Sequence, residues 1–126
     1  MKLDRVRRRL ERAWNCGLTT VGRRSGAPRR VTIWFALDGD DVVLTGGPEG
    51  PHWVRNLAAR SDAVLEIAGV RLVGRARVVD DAAEQEAIRD RFVRRYLGAR
   101  LSKLFGGYTR STCVRVAIDR VEDARA

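Results

Sequence analysis

The sequence predicts a small antiparallel β-barrel of the α+β class, and three observations lead there. The chain has 126 residues, enough for one core but too short for a separate cofactor domain beside a substrate domain. Several short segments alternate apolar and polar residues with a period of two and are separated by turn signals. Only two or three stretches carry helical spacing, and no apolar run reaches the roughly 18 residues of a membrane span. About six strands joined mostly by hairpins, with two or three peripheral helices, satisfy all three. One domain over residues 1–126 and a cytoplasmic location are expected, since the start lacks the apolar stretch of a secretion signal.

The elements follow in order. Leu3, Val6, Leu10, Ala13 and Trp14 recur at helical spacing with Arg between them, predicting a basic amphipathic helix over residues 1–15. Such a helix either covers one end of the barrel with its Arg solvated or lies on an anionic membrane surface or nucleic acid. Strands are predicted at Leu18–Val21 and Arg30–Leu37; the second is apolar on both faces, as in a closed barrel or a dimer interface. Asp38–Asp41 is a hairpin turn returning through Val42–Thr45. A Gly/Pro-rich loop, Gly46–Pro51, opens into a short helix, His52–Ala59, with Trp53 and Leu57 on one side. Val64–Ala68 and Val70–Val79 are joined tightly at Gly69, with Leu72, Gly74, Ala76 and Val78 expected to share a face. Asp80 and Asp81 start a helix to about Leu97, striped by Ala87, Ile88, Phe92 and Tyr96. A Gly-containing stretch precedes a last strand, Thr112–Val121.

Composition narrows the chemistry. The chain has one His (His52) and two Cys (Cys16 and Cys113), so it offers no zinc-type ligand spacing and no local redox pair. No nucleophile elbow surrounds His52. An enzyme with this inventory takes its reactive atoms from a bound cofactor.

Charge is placed unevenly. Residues 1–30 hold ten Lys or Arg against Asp4 and Glu11, which accounts for +8 of the net +9. An anionic partner is therefore expected near the N-terminal quarter. Arg outnumbers Lys by 23 to 2, as a GC-rich coding sequence would also give, so Arg counts are discounted. Few aromatics interleave the basic residues, which argues against nucleic acid as the partner.

Two segments have the makings of a ligand site. Gly22-Arg23-Arg24-Ser25-Gly26-Ala27-Pro28-Arg29-Arg30 joins two strands and offers four guanidinium groups, a hydroxyl and glycines open to close approach. Two readings stay open there, a solvated hairpin and an anion cradle. In Thr45-Gly46-Gly47 through Pro51-His52-Trp53-Val54-Arg55-Asn56, glycines would admit a planar ring and Trp53 would either pack on it or anchor the helix in the core. Asn56 would cap or orient the loop, or touch ligand.

The order Thr19-Thr20-Val21-Gly22-Arg23-Arg24-Ser25-Gly26-Ala27-Pro28-Arg29, a hairpin, a Gly-rich loop and then Pro51-His52-Trp53-Val54-Arg55-Asn56-Leu57 resembles the deazaflavin (F420)-dependent nitroreductase family. That family lies within the FMN-binding split β-barrels related to pyridoxamine 5'-phosphate oxidase, and the likeness runs from about Leu18 to Val79. The resemblance implies a six-stranded split barrel, usually a homodimer, that binds coenzyme F420 or FMN and passes a hydride to a quinone, nitro compound or activated alkene. It implies phosphate-side contacts from Arg23, Arg24, Ser25, Gly26 and Arg29, and ring-side contacts from Thr45, Gly46, Gly47 and Trp53. Tyr96 and Tyr108 are the candidates for a catalytic hydroxyl. A non-catalytic module of the same fold that holds a cofactor or haem is the alternative. The chain departs from the family at Thr45-Gly46-Gly47, where members often carry a Lys, and at Trp34, where many have a smaller residue.

Overall fold

A computed structural model describes residues 1–48, 50–96 and 111–123. The elements are α1 (Arg7–Arg12), β1 (Cys16–Val21), β2 (Pro28–Ile33), β3 (Ala36–Asp38), β4 (Asp41–Gly46), α2 (His52–Ala59), β5 (Asp62–Ile67), β6 (Val70–Val79), α3 (Ala82–Arg95) and β7 (Thr112–Asp123). The strands form one antiparallel sheet in the order β2-β1-β5-β6-β7-β4-β3. The class is therefore α+β and mostly β, with seven strands among the described residues where six were expected.

The extra strand comes from a break in the segment read as one strand from Arg30 to Leu37. β2 ends at Ile33 and β3 begins at Ala36, and these two pieces occupy opposite edges of the sheet. Trp34 and Phe35 alone separate them. A single bent segment thus supplies both edges, bringing them together around a core without closing the hydrogen-bond ladder, as in a split barrel. The expectation of a strand buried on both faces fails for β2, where Pro28, Arg29, Arg30 and Thr32 are exposed. Burial passes instead to the corner, where Phe35 is fully enclosed.

Several local expectations hold and others shift. The β5–β6 turn places Ala68 (φ 50°) and Gly69 (φ 81°) in the left-handed region, the mirror-image turn that suits hairpin twist. On β6, Leu72, Gly74 and Ala76 point inward, but Val78 is exposed and Val79 is buried, so the expected face ends at Ala76. Pairing with β7 shifts between Val73 and Gly74, and Asp119 drops out of the register there. A Cβ on Gly74 would overlap the Ala117 carbonyl, so this bulge needs a glycine.

The N-terminal helix is shorter than expected. Leu3, Val6 and Leu10 are buried, but the helix stops at Arg12 and Ala13 turns extended (ψ 139°). Trp14 consequently leaves the apolar stripe and is 63% exposed. Asp40 anchors the segment by accepting the Lys2 and Leu3 N–H groups at 2.9 and 3.1 Å. α3 begins at Asp81, whose carboxylate accepts the Glu84 N–H at 2.8 Å, a side-chain cap of the usual kind. Ile88 and Phe92 are buried, whereas Ala87 faces solvent. The main core fills the curled sheet around Leu18, Leu44, Leu57, Leu65 and Leu72, and a second cluster lies under α3 around Val43, Ile88, Phe92 and Tyr96.

A basic cleft between the first hairpin and α2

The β1–β2 connection folds as a compact turn that uses its own backbone donors. The Gly22 N–H donates to the Ala27 carbonyl and the Gly26 N–H to the Gly22 carbonyl, both at 2.8 Å. The Ala27 N–H donates to Ser25 Oγ at 3.1 Å. Gly26 needs its positive φ of 71°, and a Cβ on Gly22 would sit 2.5 Å from Ser25 Oγ, so both glycines serve the turn. The amides of both glycines are engaged within the turn.

A cleft of about 540 Å³ opens between this hairpin and α2. Arg23, Arg24, Ser25, Arg29 and Arg30 line one wall; His52, Trp53 and Asn56 line the other. Among the described residues that line it there is no carboxylate. Such a positively charged lining suits an anion.

The four guanidinium groups are not equivalent. Arg23 is half-buried and fixed by α2: its main-chain N–H and its Nη1 donate to Asn56 Oδ1 at 3.2 and 2.8 Å. Its Nη2 lies 3.3 Å from His52 Nδ1; because a guanidinium only donates, His52 accepts there through an unprotonated Nδ1. Arg30 pairs with Glu66 at 3.6 Å and lies across Gly17, where a Cβ would overlap its guanidinium. Arg24 and Arg29 are exposed and have no ion-pair partner among the described residues.

The structure divides the ring-side group. Trp53 faces the cleft but is 7% exposed and belongs to the main core. Gly46 reaches neither this cleft nor its neighbour: a Cβ there would meet Pro51 at 2.9 Å and the Trp53 ring at 3.1 Å, so its missing side chain makes room for the chain itself. Thr45 likewise lines neither. Gly47 lines a second cleft of about 460 Å³ with Pro48, Pro51 and Arg55, and its carbonyl accepts the Thr112 hydroxyl at 3.0 Å. His52 borders both clefts, which therefore adjoin at the start of α2.

Tyr96 does not line this cleft. Tyr96 is fully buried at the end of α3, its hydroxyl bonded to the Phe35 carbonyl, the Trp14 carbonyl and Arg95 Nε. Tyr108 lies outside the described residues. Both cysteines are buried and free, and burial pushes the Cys16 thiol up to about 12, so it stays protonated at neutral pH. The residues the sequence reading undervalued are Asn56, His52 and Arg30. For Asn56 a signal existed: Trp53, Asn56 and Leu57 share one helix face, so an amide among buried neighbours had to find partners.

A sheet whose edges come from one bent segment, with three helices outside it among the described residues and a cationic cleft at one corner, defines a split β-barrel. Among solved structures, a candidate pyridoxamine 5'-phosphate oxidase from Listeria innocua is similar at 16% identity, with 98% of each chain covered and a TM-score of 0.74. An F420 reductase is similar at 22% identity, with 91% of this chain and 94% of that chain covered and a TM-score of 0.67. A heme-binding protein from Mycobacterium smegmatis is similar at 22% identity over 90% of this chain and 50% of its own, with a TM-score of 0.70. At these identities the likeness establishes the fold. A search of curated proteins returns no match.

The family model of the F420H(2)-dependent quinone reductase matches residues 3–116. The protein belongs to that family and is an F420-dependent oxidoreductase acting on a small molecule. Among the described residues no helix is long and apolar enough to cross a membrane.

Proposed function

We propose that residues 1–126 act as one cofactor-binding domain that holds coenzyme F420 with its anionic tail in the basic cleft. The acceptor we propose is a quinone, with nitro compounds and activated alkenes as further substrates of the same electron-poor type. The observation that carries the reading is the cleft lining: four arginines, two of them free, and no carboxylate among the described residues. The residues fit the group, since a tail of phosphate and glutamates needs several cations along an extended wall.

Bound there, the reduced deazaflavin would supply the hydride. Arg24 and Arg29 would hold the tail, and the Ser25 hydroxyl, which accepts from Ala27, still has its own proton to donate. Trp53 provides an apolar floor beside these charges, and the second cleft, bordered by His52 and Gly47, gives the acceptor a place next to the first. The sparse acid–base inventory suits hydride transfer, in which the remaining proton comes from water.

Titration of the purified protein with F420 and with FMN, followed by quenching, tests the reading. Micromolar F420 binding with weaker FMN binding supports it. Preference for FMN moves the chain to the FMN-dependent variant, and binding of neither overturns both. Stoichiometric binding without turnover over a panel of acceptors would mark a non-catalytic carrier.

Two partner assignments belong to the same proposal. A homodimer is supported by β2 lying at a sheet edge with one row of backbone groups unpaired, and sedimentation equilibrium tests it. Contact of a cytoplasmic enzyme with an anionic bilayer is supported by the division of the N-terminal arginines. Arg7 and Arg9 pair with Asp40 and Asp123, whereas Arg5, Arg8 and Arg12 are exposed; on α1, Arg12 sits two residues beyond buried Leu10, on the opposite side of the helix. Vesicles containing phosphatidylglycerol should co-sediment with the protein at low salt and release it at high salt. Equal recovery with neutral vesicles would remove this contact.

A further inference from the structure

We propose that Asn56 is a positioning residue for the cofactor: from α2 it fixes the Arg23 guanidinium before any ligand arrives, so that one cation of the cleft is pre-oriented while Arg24 and Arg29 adapt. This rests on the reading of the cleft as the F420 tail site.

The geometry is specific to Arg23. Asn56 is 4% exposed, and a buried amide must satisfy its polar atoms. It does so across the hairpin and not within its own helix. Oδ1 accepts both the main-chain N–H and the Nη1 of Arg23, at 3.2 and 2.8 Å, while Nδ2 donates to the buried Thr20 hydroxyl at 3.2 Å. The amide plane is thereby set from both ends, by Thr20 on β1 and by Arg23 at the start of the turn. His52 Nδ1, one helical turn before Asn56, faces Nη2 of the same guanidinium at 3.3 Å. Two of the five guanidinium N–H groups are thus directed to α2, and three remain for a ligand.

Arg24 and Arg29 have no such support, and ordering each on a ligand costs rotamer entropy. Arg23 has lost that freedom already, so its contact with an anion adds affinity without the ordering cost. Asn56 need not touch the cofactor to have this effect. The inference explains why a polar residue occupies the buried face of α2 between Trp53 and Leu57, where an apolar side chain would pack.

The test is a double-mutant cycle on F420 binding, with Arg23→Ala, Asn56→Ala and the double variant, and a melting midpoint recorded for each. Ile88→Val, in the cluster under α3 and away from the cleft, is the control for loss of stability alone. Asn56→Ala is expected to weaken F420 about three- to tenfold, Arg23→Ala at least as much, and the double variant no more than Arg23→Ala. Ile88→Val should lower the midpoint and leave the dissociation constant unchanged. If Asn56→Ala weakens binding by the same factor with and without Arg23, or not at all in a wild-type background that binds F420, the positioning role is overturned. If the wild-type protein does not bind F420, the reading of the cleft has failed instead. Should Asn56→Ala not fold, Asn56→Ser completes the same cycle, because its short hydroxyl cannot serve both Arg23 groups.

Discussion

The Tyr96 hydroxyl stands between the amide and the carbonyl of Phe35, accepting from the N–H at 3.4 Å and donating to the oxygen at 2.8 Å. Phe35 lies at the corner where the segment leaves β2 for β3, so its backbone has lost both ladders, and it is fully buried. One phenol replaces the missing strand neighbour. The Trp34 ring stacks on the Tyr96 ring at 4.2 Å between centroids, and the Arg95 guanidinium lies 4.7 Å from the centre of the Phe35 ring. The end of α3 thus holds the bend that brings the two sheet edges together.

Tyr96→Phe should therefore cost about 1–3 kcal/mol of stability, because two buried backbone groups lose their partner. Urea denaturation measures the loss. F420 affinity should be unchanged, since the hydroxyl is engaged at the corner and is absent from the cleft lining; a loss of affinity without a loss of stability would return Tyr96 to the active site.

Arg24→Ala combined with Arg29→Ala should weaken F420 binding about tenfold or more, as expected for losing two charge-assisted contacts. Arg60→Ala with Arg75→Ala removes the same charge from other parts of the surface and should have little effect. Equal losses in the two pairs would mean that the hairpin acts only through bulk electrostatics.

Gly46→Ala should destabilise the protein by about 1–3 kcal/mol, the usual range for overpacking. The new methyl would press on Pro51 and the Trp53 ring, at 2.9 and 3.1 Å. Thermal melting and Trp fluorescence would report it. A variant as stable as wild type would show that the loop yields, leaving the glycine for close approach by a ligand.

Stability should fall as the solution is acidified below the ordinary carboxylate range, with Glu84 contributing. Hydrogen bonds from Arg77 and Arg115, both at 2.7 Å, hold its carboxyl below the usual 4.5. A group depressed in the folded state adds stability above its unfolded pKa and loses it as pH drops through the folded value. Glu84→Gln should lower the urea midpoint at pH 7 and flatten its decline between pH 5 and 3. Parallel wild-type and variant curves would assign the acid sensitivity elsewhere.

Much of the fold was legible in the sequence because period-two segments and turn residues act locally. The hairpin signal at Asp38–Asp41 and the tight turn at Gly69 lie where the strands meet, and α2 spans the expected residues. The misreadings share one cause. Trp14 and Ala87 fit an apolar stripe by spacing, yet each faces solvent because spacing records phase and not where a neighbouring element ends. Val31, Ile33, Trp34, Phe35 and Leu37 form one apolar run, and nothing local marks where it bends.

What the sequence determined by itself is the inventory: a short chain of strands, a cluster of arginines between the first two, and too few acid–base or metal-binding side chains for chemistry without a cofactor. Only the tertiary structure decided how that inventory is used. It bent one segment at Phe35 to supply both edges of the sheet, and it tied Arg23 to Asn56 and Arg30 to Glu66 while giving Arg24 and Arg29 no ion-pair partner among the described residues. The physical reason is that a guanidinium has the same chemistry at every position in the chain. Whether it serves the protein or a ligand depends on which acceptors lie within about 3 Å, and contacts between residues 33 or 36 positions apart exist only once the sheet has curled.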